Sequence, residues 1–420
     1  MFWSWAFLAV TCVGAWFTFN AWLPARRQGV FGVPSFFAGW LTSELAGHHF
    51  AWQVGATVFF VWMGALQAWP GWVGLGITVA SWLALLALVP VAGRSRHIVE
   101  RALRGALGAE YAERLATPLG DVAVPRRRHS RLAVPFLLYD RDVRIARNIA
   151  YAEDAGRRQT LDVYGPRNPV QGAPVLLQIH GGGWVIGHKR QQALPLMLHL
   201  AARGWVCVAA NYRLAPRATF PDPLVDLKMA IRWIRAHLGE YGGNPEFLAV
   251  TGGSAGGHLS SLVALTANDP AYQSGFEDVD TRVDACVPFY GVYDFTNRFG
   301  QDPKDGMRPF LERVVMKTRY QDDPEAFERA SPVSRIHPDA PPFFVVHGTH
   351  DTLVPVTEAR EFVRLLRATS KQPVAYAELP TAQHAFEVFH SLRTRHVVEG
   401  VERFLTFLWA RHLEERGRAA

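Results

Sequence analysis

Four short motifs hold the residue types that acyl-transfer chemistry needs. Gly252-Gly253-Ser254-Ala255-Gly256 follows an apolar run at 247–251 and precedes a helical pattern. That is the setting in which a G-x-S-x-G turn exposes a nucleophilic serine. His180-Gly181-Gly182-Gly183-Trp184 ends the apolar run 175–179. Glycines there let backbone N–H groups converge on one spot, as a tetrahedral oxyanion requires. Gly182 and Gly183, with the N–H of Ala255, are the expected donors. His180, Gly181 and Trp184 are expected to support the loop, His180 by hydrogen bonding. A phosphate-binding loop is the rival, but there is no G-x-G-x-x-G spacing and no following Lys-Ser or Lys-Thr.

His347-Gly348-Thr349-His350-Asp351 follows the apolar run 343–346, and Asp351 is placed to orient an imidazole. His347, His350 and Asp351 also invite a metal reading, yet nothing else nearby is a ligand, so no metal is expected. Asp294, in Gly-Val-Tyr-Asp-Phe, is a second possible acid; Asp351 is preferred because the strand before it is the later one. Gln383-His384-Ala385-Phe386 follows a further apolar run, so His384 can reach the serine as general base.

The elements that must position these residues alternate. Short apolar runs at 174–180, 205–210, 247–252, 284–289, 342–347 and 373–378 read as strands. Segments 190–203, 223–239, 255–267, 355–369 and 395–414 read as helices. Near-continuous apolar strands between helices imply an α/β fold with a mostly parallel central sheet covered on both faces. The Pro-rich stretch 295–340 reads as an insertion over the active-site end.

The order Ser254, Asp351, His384, with the glycines upstream, is that of α/β-hydrolases. Together with Asn211–Pro216 (NYRLAP), these motifs resemble the hormone-sensitive-lipase-like, or bacterial type IV, esterases over roughly 145–415. The N-terminal part, with LDVYGP and QIHGGGWVIG, is similar to actinobacterial membrane-associated esterases and prenylcysteine methylesterases. The resemblance implies carboxylic ester substrates, often with short to medium acyl chains, and no cofactor. Gly253 stands where that family commonly has an acid, and Trp184 where it commonly has a phenylalanine.

Residues 1–93 carry only three charged side chains, Arg26, Arg27 and Glu44. Uncharged stretches near 2–22, 50–69 and 71–91 are about long enough to cross a bilayer core of roughly 30 Å. They read as a transmembrane region, with tryptophans mostly near the span ends. Residues 31–42 are too short to span and read as interfacial or re-entrant. Arg26 and Arg27 after the first span, and Arg94 and Arg96 after the third, place the N-terminus outside and the hydrolase on the cytoplasmic side.

Residues 94–158 hold fourteen arginines against eight acids, while 28 basic and 28 acidic residues follow. A basic block next to apolar spans points to anionic lipid headgroups as partner, and no nucleic-acid motif accompanies it. Within the linker 94–144, Val99, Leu103, Leu107, Tyr111 and Leu115 recur every fourth residue. That marks an amphipathic helix lying on lipid or on the hydrolase. Arg126, Arg127, Arg128 and Arg131 follow as a polybasic connector. Cys12, Cys207 and Cys286 show no metal or disulfide spacing.

The expected protein is therefore a membrane-anchored serine esterase whose catalytic domain spans 145–420. An amidase such as a formamidase, a transacylase, or a binding protein on an inactive hydrolase fold would carry much of the same apparatus.

Overall fold

Among the described residues, alternation of short Val-, Leu- and Ala-rich runs with helices builds one eight-stranded sheet. The computed structural model describes residues 1–25, 31–115, 129–153, 156–168, 170–300 and 306–419. Its first helices are α1 (Phe2–Trp22), α2 (Gly32–Glu44), α3 (Ala46–Trp62), α4 (Trp69–Gly93) and α5 (Ser95–Leu107). The sheet starts with β1 (Val143–Ala150) and β2 (Thr160–Pro166), then β3 (Ala173–Ile179), α6 (Leu194–Ala201) and β4 (Val206–Ala210). Next come α7 (Asp222–His237), β5 (Gly243–Gly253), α8 (Ala255–Leu265) and β6 (Ala285–Phe289). After two short helices, α9 (Arg308–Phe310) and α10 (Pro324–Arg329), the chain ends in β7 (Phe343–Gly348), α11 (Val356–Thr369), β8 (Val374–Leu379) and α12 (Leu392–Ala419).

Strand order is β1-β2-β4-β3-β5-β6-β7-β8. From β4 to β8 every neighbour is parallel; β1 and β2 are antiparallel at one edge. The parallel strands are buried on both faces, which is why they read as continuous apolar runs. Separate apolar clusters fill the two faces. The antiparallel pair escaped the sequence reading because β1 (VRIARNIA) carries two arginines and half-exposed positions, with a register shift between Ala146 and Ile149. The 295–340 stretch holds α9 and α10, and Phe310 comes within 4.0 Å of where a Cβ on Gly183 would sit.

In the N-terminal region α1 and α4 run parallel and pack directly on each other, and α3 runs antiparallel to both. Trp5 packs on Trp69, Thr18 bonds Ser81 (2.7 Å), and Trp22 Nε1 donates to Ala84 O (3.1 Å). Gln53 of α3 reaches Gly14 O, while Phe60 packs on Phe7. Among the described residues, two stretches are long and apolar enough to cross a membrane: α1, and the rod from Trp69 to Leu107 that includes α4. The expected 50–69 span is displaced. Its helix is Ala46–Trp62, 17 residues and about 26 Å long, and it ends at Gly64, whose φ is 86°. A tight hairpin follows, in which a Cβ on Gly71 would lie 1.9 Å from Ala65 O.

Polar side chains are buried in the bundle beside apolar Phe7, Leu85 and Leu88, and many large apolar ones face outward. Ser4, Thr11, Thr18, Gln53, Thr57, Thr78 and Ser81 are buried, while Phe2, Trp16, Phe19, Phe59, Trp62, Trp72 and Leu83 are exposed. On α5, Val99 and Leu103 are buried in the same apolar cluster as Val401 and Phe404 of α12, so this amphipathic face lies on the sheet domain. Arg26 and Arg27, and Arg126 to Arg128 of the connector, lie outside the described residues.

Candidate active site

The sheet brings the candidate residues to the carboxyl ends of adjacent parallel strands. β5 ends at Gly253 and α8 starts at Ala255, leaving Ser254 alone in the turn with φ 60° and ψ −124°. Such a backbone is costly for a non-glycine residue and exposes the side chain above the sheet. Neighbouring chain crowds the turn: a Cβ on Gly256 would sit 2.1 Å from Ile179 O. Ser254 N–H donates to Phe289 O (3.0 Å), tying the turn to β6.

Asp351 and His384 follow β7 and β8, and His384 Nδ1 donates to Asp351 Oδ2 at 2.7 Å. Nε2 is left to accept a proton. Asp351 Oδ1 accepts from Leu353 N (2.9 Å) and Val354 N (2.8 Å). Burial alone pushes this carboxyl up; the charge of His384 and hydrogen bonds from His347 and His384 outweigh it and hold the group well below the usual carboxylate range. His347 Nε2 stands 3.3 Å from Asp351 and 3.0 Å from Val354 O, whereas His350 Nδ1 donates to Ala21 O (3.2 Å). These two histidines thus brace loops. Among the described residues no three metal-capable side chains cluster. Asp294 is turned to its own loop, accepting from Thr296 N and Arg298 N, and the acid bonded to His384 is Asp351.

The glycine loop stands directly against the serine, for a Cβ on Gly181 would lie 3.0 Å from Ser254 Cβ. Gly182 and Gly183 have φ of 112° and 58°. Gly181 N donates to Gln192 Oε1 (2.6 Å). His180 is fully buried, stacks on Tyr212 at 4.4 Å, and bonds Gly181 O through Nδ1 (2.8 Å). Burial lowers its pKa to about 4, so it remains neutral. Trp184 points inward, and its indole N–H donates to His258 Nδ1 (3.2 Å). His258 in turn donates from Nε2 to Ala330 O (2.7 Å). The larger ring at 184 thus has a buried partner that a phenylalanine would leave unbonded.

Several contributors went unnoticed in the sequence. Gln383 Oε1 accepts from both Thr352 N (2.8 Å) and His384 N (2.9 Å), locking the acid and base loops together. Tyr290 packs on His384 with centroids 4.4 Å apart, and its hydroxyl donates to Glu387. The same hydroxyl fills the space beside Gly253, where a Cβ would lie 2.6 Å away. That explains a glycine at this position. The stretch at 31–42 is the largest surprise, because α2 sits on the catalytic loops. Phe36 meets His384 edge-on at 6.3 Å, Trp40 Nε1 donates to Ala385 O (2.8 Å), and Thr352 Oγ1 donates to Gly32 O (3.1 Å). Glu44 forms a fully buried ion pair with Arg393 and accepts from Ser391 Oγ. Only Glu44 hinted at this: it is the one acid in 1–93.

Known proteins share this arrangement of chain. The BD-FAE family profile matches residues 161–366. The probable carboxylic ester hydrolase LipM of Mycobacterium tuberculosis is 44% identical over 414 residues, covering 96% of this chain and 93% of its own. Esterase LipQ of the same organism is 43% identical over 329 residues, 77% of each chain. Among solved structures, esterase B from Lactobacillus rhamnosis superposes with a TM-score of 0.56 at 20% identity, over 78% of this chain and 98% of that one, a likeness of fold. The LipM match covers nearly the whole chain and so takes in the apolar helices as well as the sheet. On that identity and coverage, the chain belongs to the LipM-like family of carboxylic ester hydrolases with the α/β-hydrolase fold.

Proposed function

We propose that this carboxylic ester hydrolase is a membrane-anchored serine esterase acting on lipophilic esters through Ser254, His384 and Asp351. The observation that carries the reading is the 2.7 Å bond from His384 to buried Asp351, at the same carboxyl edge of the sheet as a serine held at φ 60° between β5 and α8. Ser254 Oγ attacks the ester carbonyl carbon while His384 Nε2 takes its proton. The N–H groups of Gly182, Gly183 and Ala255 receive the oxyanion. Collapse breaks the bond to the alcohol oxygen, which leaves with the proton from His384. Water then adds to the acyl-serine by the same route, releasing the acid and restoring Ser254. Asp351 stays ionised throughout and holds Nδ1–H toward itself.

The burial pattern of the α1–α3–α4 bundle supports the membrane reading. Buried hydroxyls and amides bond helix to helix, and large apolar side chains face outward, as lipid requires. The basic linker would lie toward anionic headgroups. Phe31, just before α2, and Val33 and Phe37 on it are exposed beside the loops carrying Asp351 and His384, which favours substrates with an apolar portion. The test is hydrolysis of p-nitrophenyl esters from acetate to palmitate by the detergent-purified chain. We expect catalytic efficiency to rise with acyl length beyond acetate. A preference for acetate over every longer ester contradicts the lipophilic assignment.

A further inference from the structure

We propose that Tyr290 and Glu387 form a positioning unit that fixes His384 relative to Ser254. Tyr290 packs on the His384 ring and lies against Gly253, the residue before Ser254. Its backbone follows Phe289, whose carbonyl holds Ser254 N, and its own N–H donates to Val346 O (2.8 Å) at the end of β7. Its φ of 37° is rare for a bulky residue and aims the ring across the sheet end. The ring lies 4.4 Å from His384, and the hydroxyl reaches past Gly253 to Glu387, three residues beyond the histidine. One fully buried tyrosine therefore ties the base loop to the nucleophile strand. Nothing in the acyl-transfer steps above uses either side chain, yet both are buried beside the imidazole, where an unneeded carboxyl is costly.

The ionisable groups facing Glu387 are Tyr290 and His384, with Asp351 behind the imidazole. Burial pushes the Glu387 carboxyl up, and the tyrosine bond and His384 partly offset this, leaving it at about 7. Burial and the neighbouring carboxylates push the Tyr290 hydroxyl well above its ordinary value, so it remains a donor. Around neutrality Glu387 gains a negative charge near His384, favouring the imidazolium that forms when Ser254 gives up its proton.

The inference rests on the triad reading, and the test separates the two. Full-length wild type, Tyr290→Phe, Glu387→Gln, Glu387→Ala and the Tyr290→Phe/Glu387→Ala double variant are compared by ester kinetics across pH. Fluorophosphonate labelling of Ser254 in wild type is the control; its absence sinks the triad reading itself. With labelling intact, Tyr290→Phe keeps the ring and removes the bond. We expect kcat to fall about ten- to hundredfold, part of the ~10²–10⁴ a placed base supplies, with KM within about twofold. Glu387→Gln keeps an acceptor without charge, so the acidic limb of the kcat/KM profile moves to lower pH. The double variant loses no more than the worse single, as members of one unit do. Wild-type kcat and pH profile in both Tyr290→Phe and Glu387→Gln overturn the proposal, as do losses that multiply in the double. Should Tyr290→Phe fail to fold, the near-isosteric Glu387→Gln profile decides alone.

Discussion

In the proposed mechanism the Asp351 carboxylate does two things, orienting an imidazole and supporting its charge. Two backbone N–H groups hold one oxygen and His384 takes the other. Because the folded carboxyl sits below its unfolded value of roughly 4, the stability it contributes is present above that pH. It is lost as the solution is acidified toward the folded value. Asp351 thus remains charged across the neutral and mildly acidic range, and loss of activity there reports other groups. Asp351→Asn preserves shape but lets the side-chain amide face Nδ1, favouring the wrong tautomer. We expect kcat to drop about 10³–10⁴-fold with little change in KM, measured with a soluble ester. A drop below about tenfold would mean that another acid orients His384.

Helix α2, read from the sequence as interfacial or re-entrant, packs on the loops that carry Asp351 and His384. Its bonds from Trp40 to Ala385 and from Glu44 to Arg393 grip the loop carrying His384 at both ends. Arg393 also donates to Pro380 O (2.9 Å) and Thr381 Oγ1 (3.0 Å), so the ion pair closes that loop on itself. Glu44→Ala leaves a buried guanidinium without its acid. We expect a loss of about 3–5 kcal/mol in unfolding experiments, and a smaller loss when Arg393→Met is added. Equal stability of wild type and Glu44→Ala contradicts this picture. The parallel strands, their helices and the residues at their ends were legible because apolar runs, glycine turns and chain order all point the same way. The docking of α2 was not, since its partners lie more than 300 positions away and its FGVPSFFAGWLT pattern states only that it is apolar. Tyr290 and Glu387 were hidden for a similar reason: a tyrosine and a glutamate carry no motif until the fold sets them beside Gly253 and His384.

As a whole, the molecule joins a helical bundle to a sheet-based hydrolase, with α1 and α4 both ending beside it. Their parallel course, with α3 antiparallel to both, sends the N-terminus to the far end of the bundle. On the membrane reading proposed above, crossings by α1, α3 and α4 would put the two chain ends on opposite faces of a bilayer, with the sheet domain on the side of Arg94 and Arg96. Protease-site tags at the two ends, probed in sealed vesicles, are expected to be cut from opposite sides; cutting from one side contradicts three crossings. Removing residues 1–93 is expected to abolish activity despite an intact triad, because the grip of α2 on the His384 loop goes with them. The claim on which all of this depends is that Ser254 is the nucleophile, and it is tested by treating the detergent-solubilised full-length chain with a fluorophosphonate and mapping the adduct by mass spectrometry. The account predicts modification of the peptide carrying Ser254, and neither labelling nor ester hydrolysis in Ser254→Ala; an adduct on another serine, or an active Ser254→Ala enzyme, would contradict it.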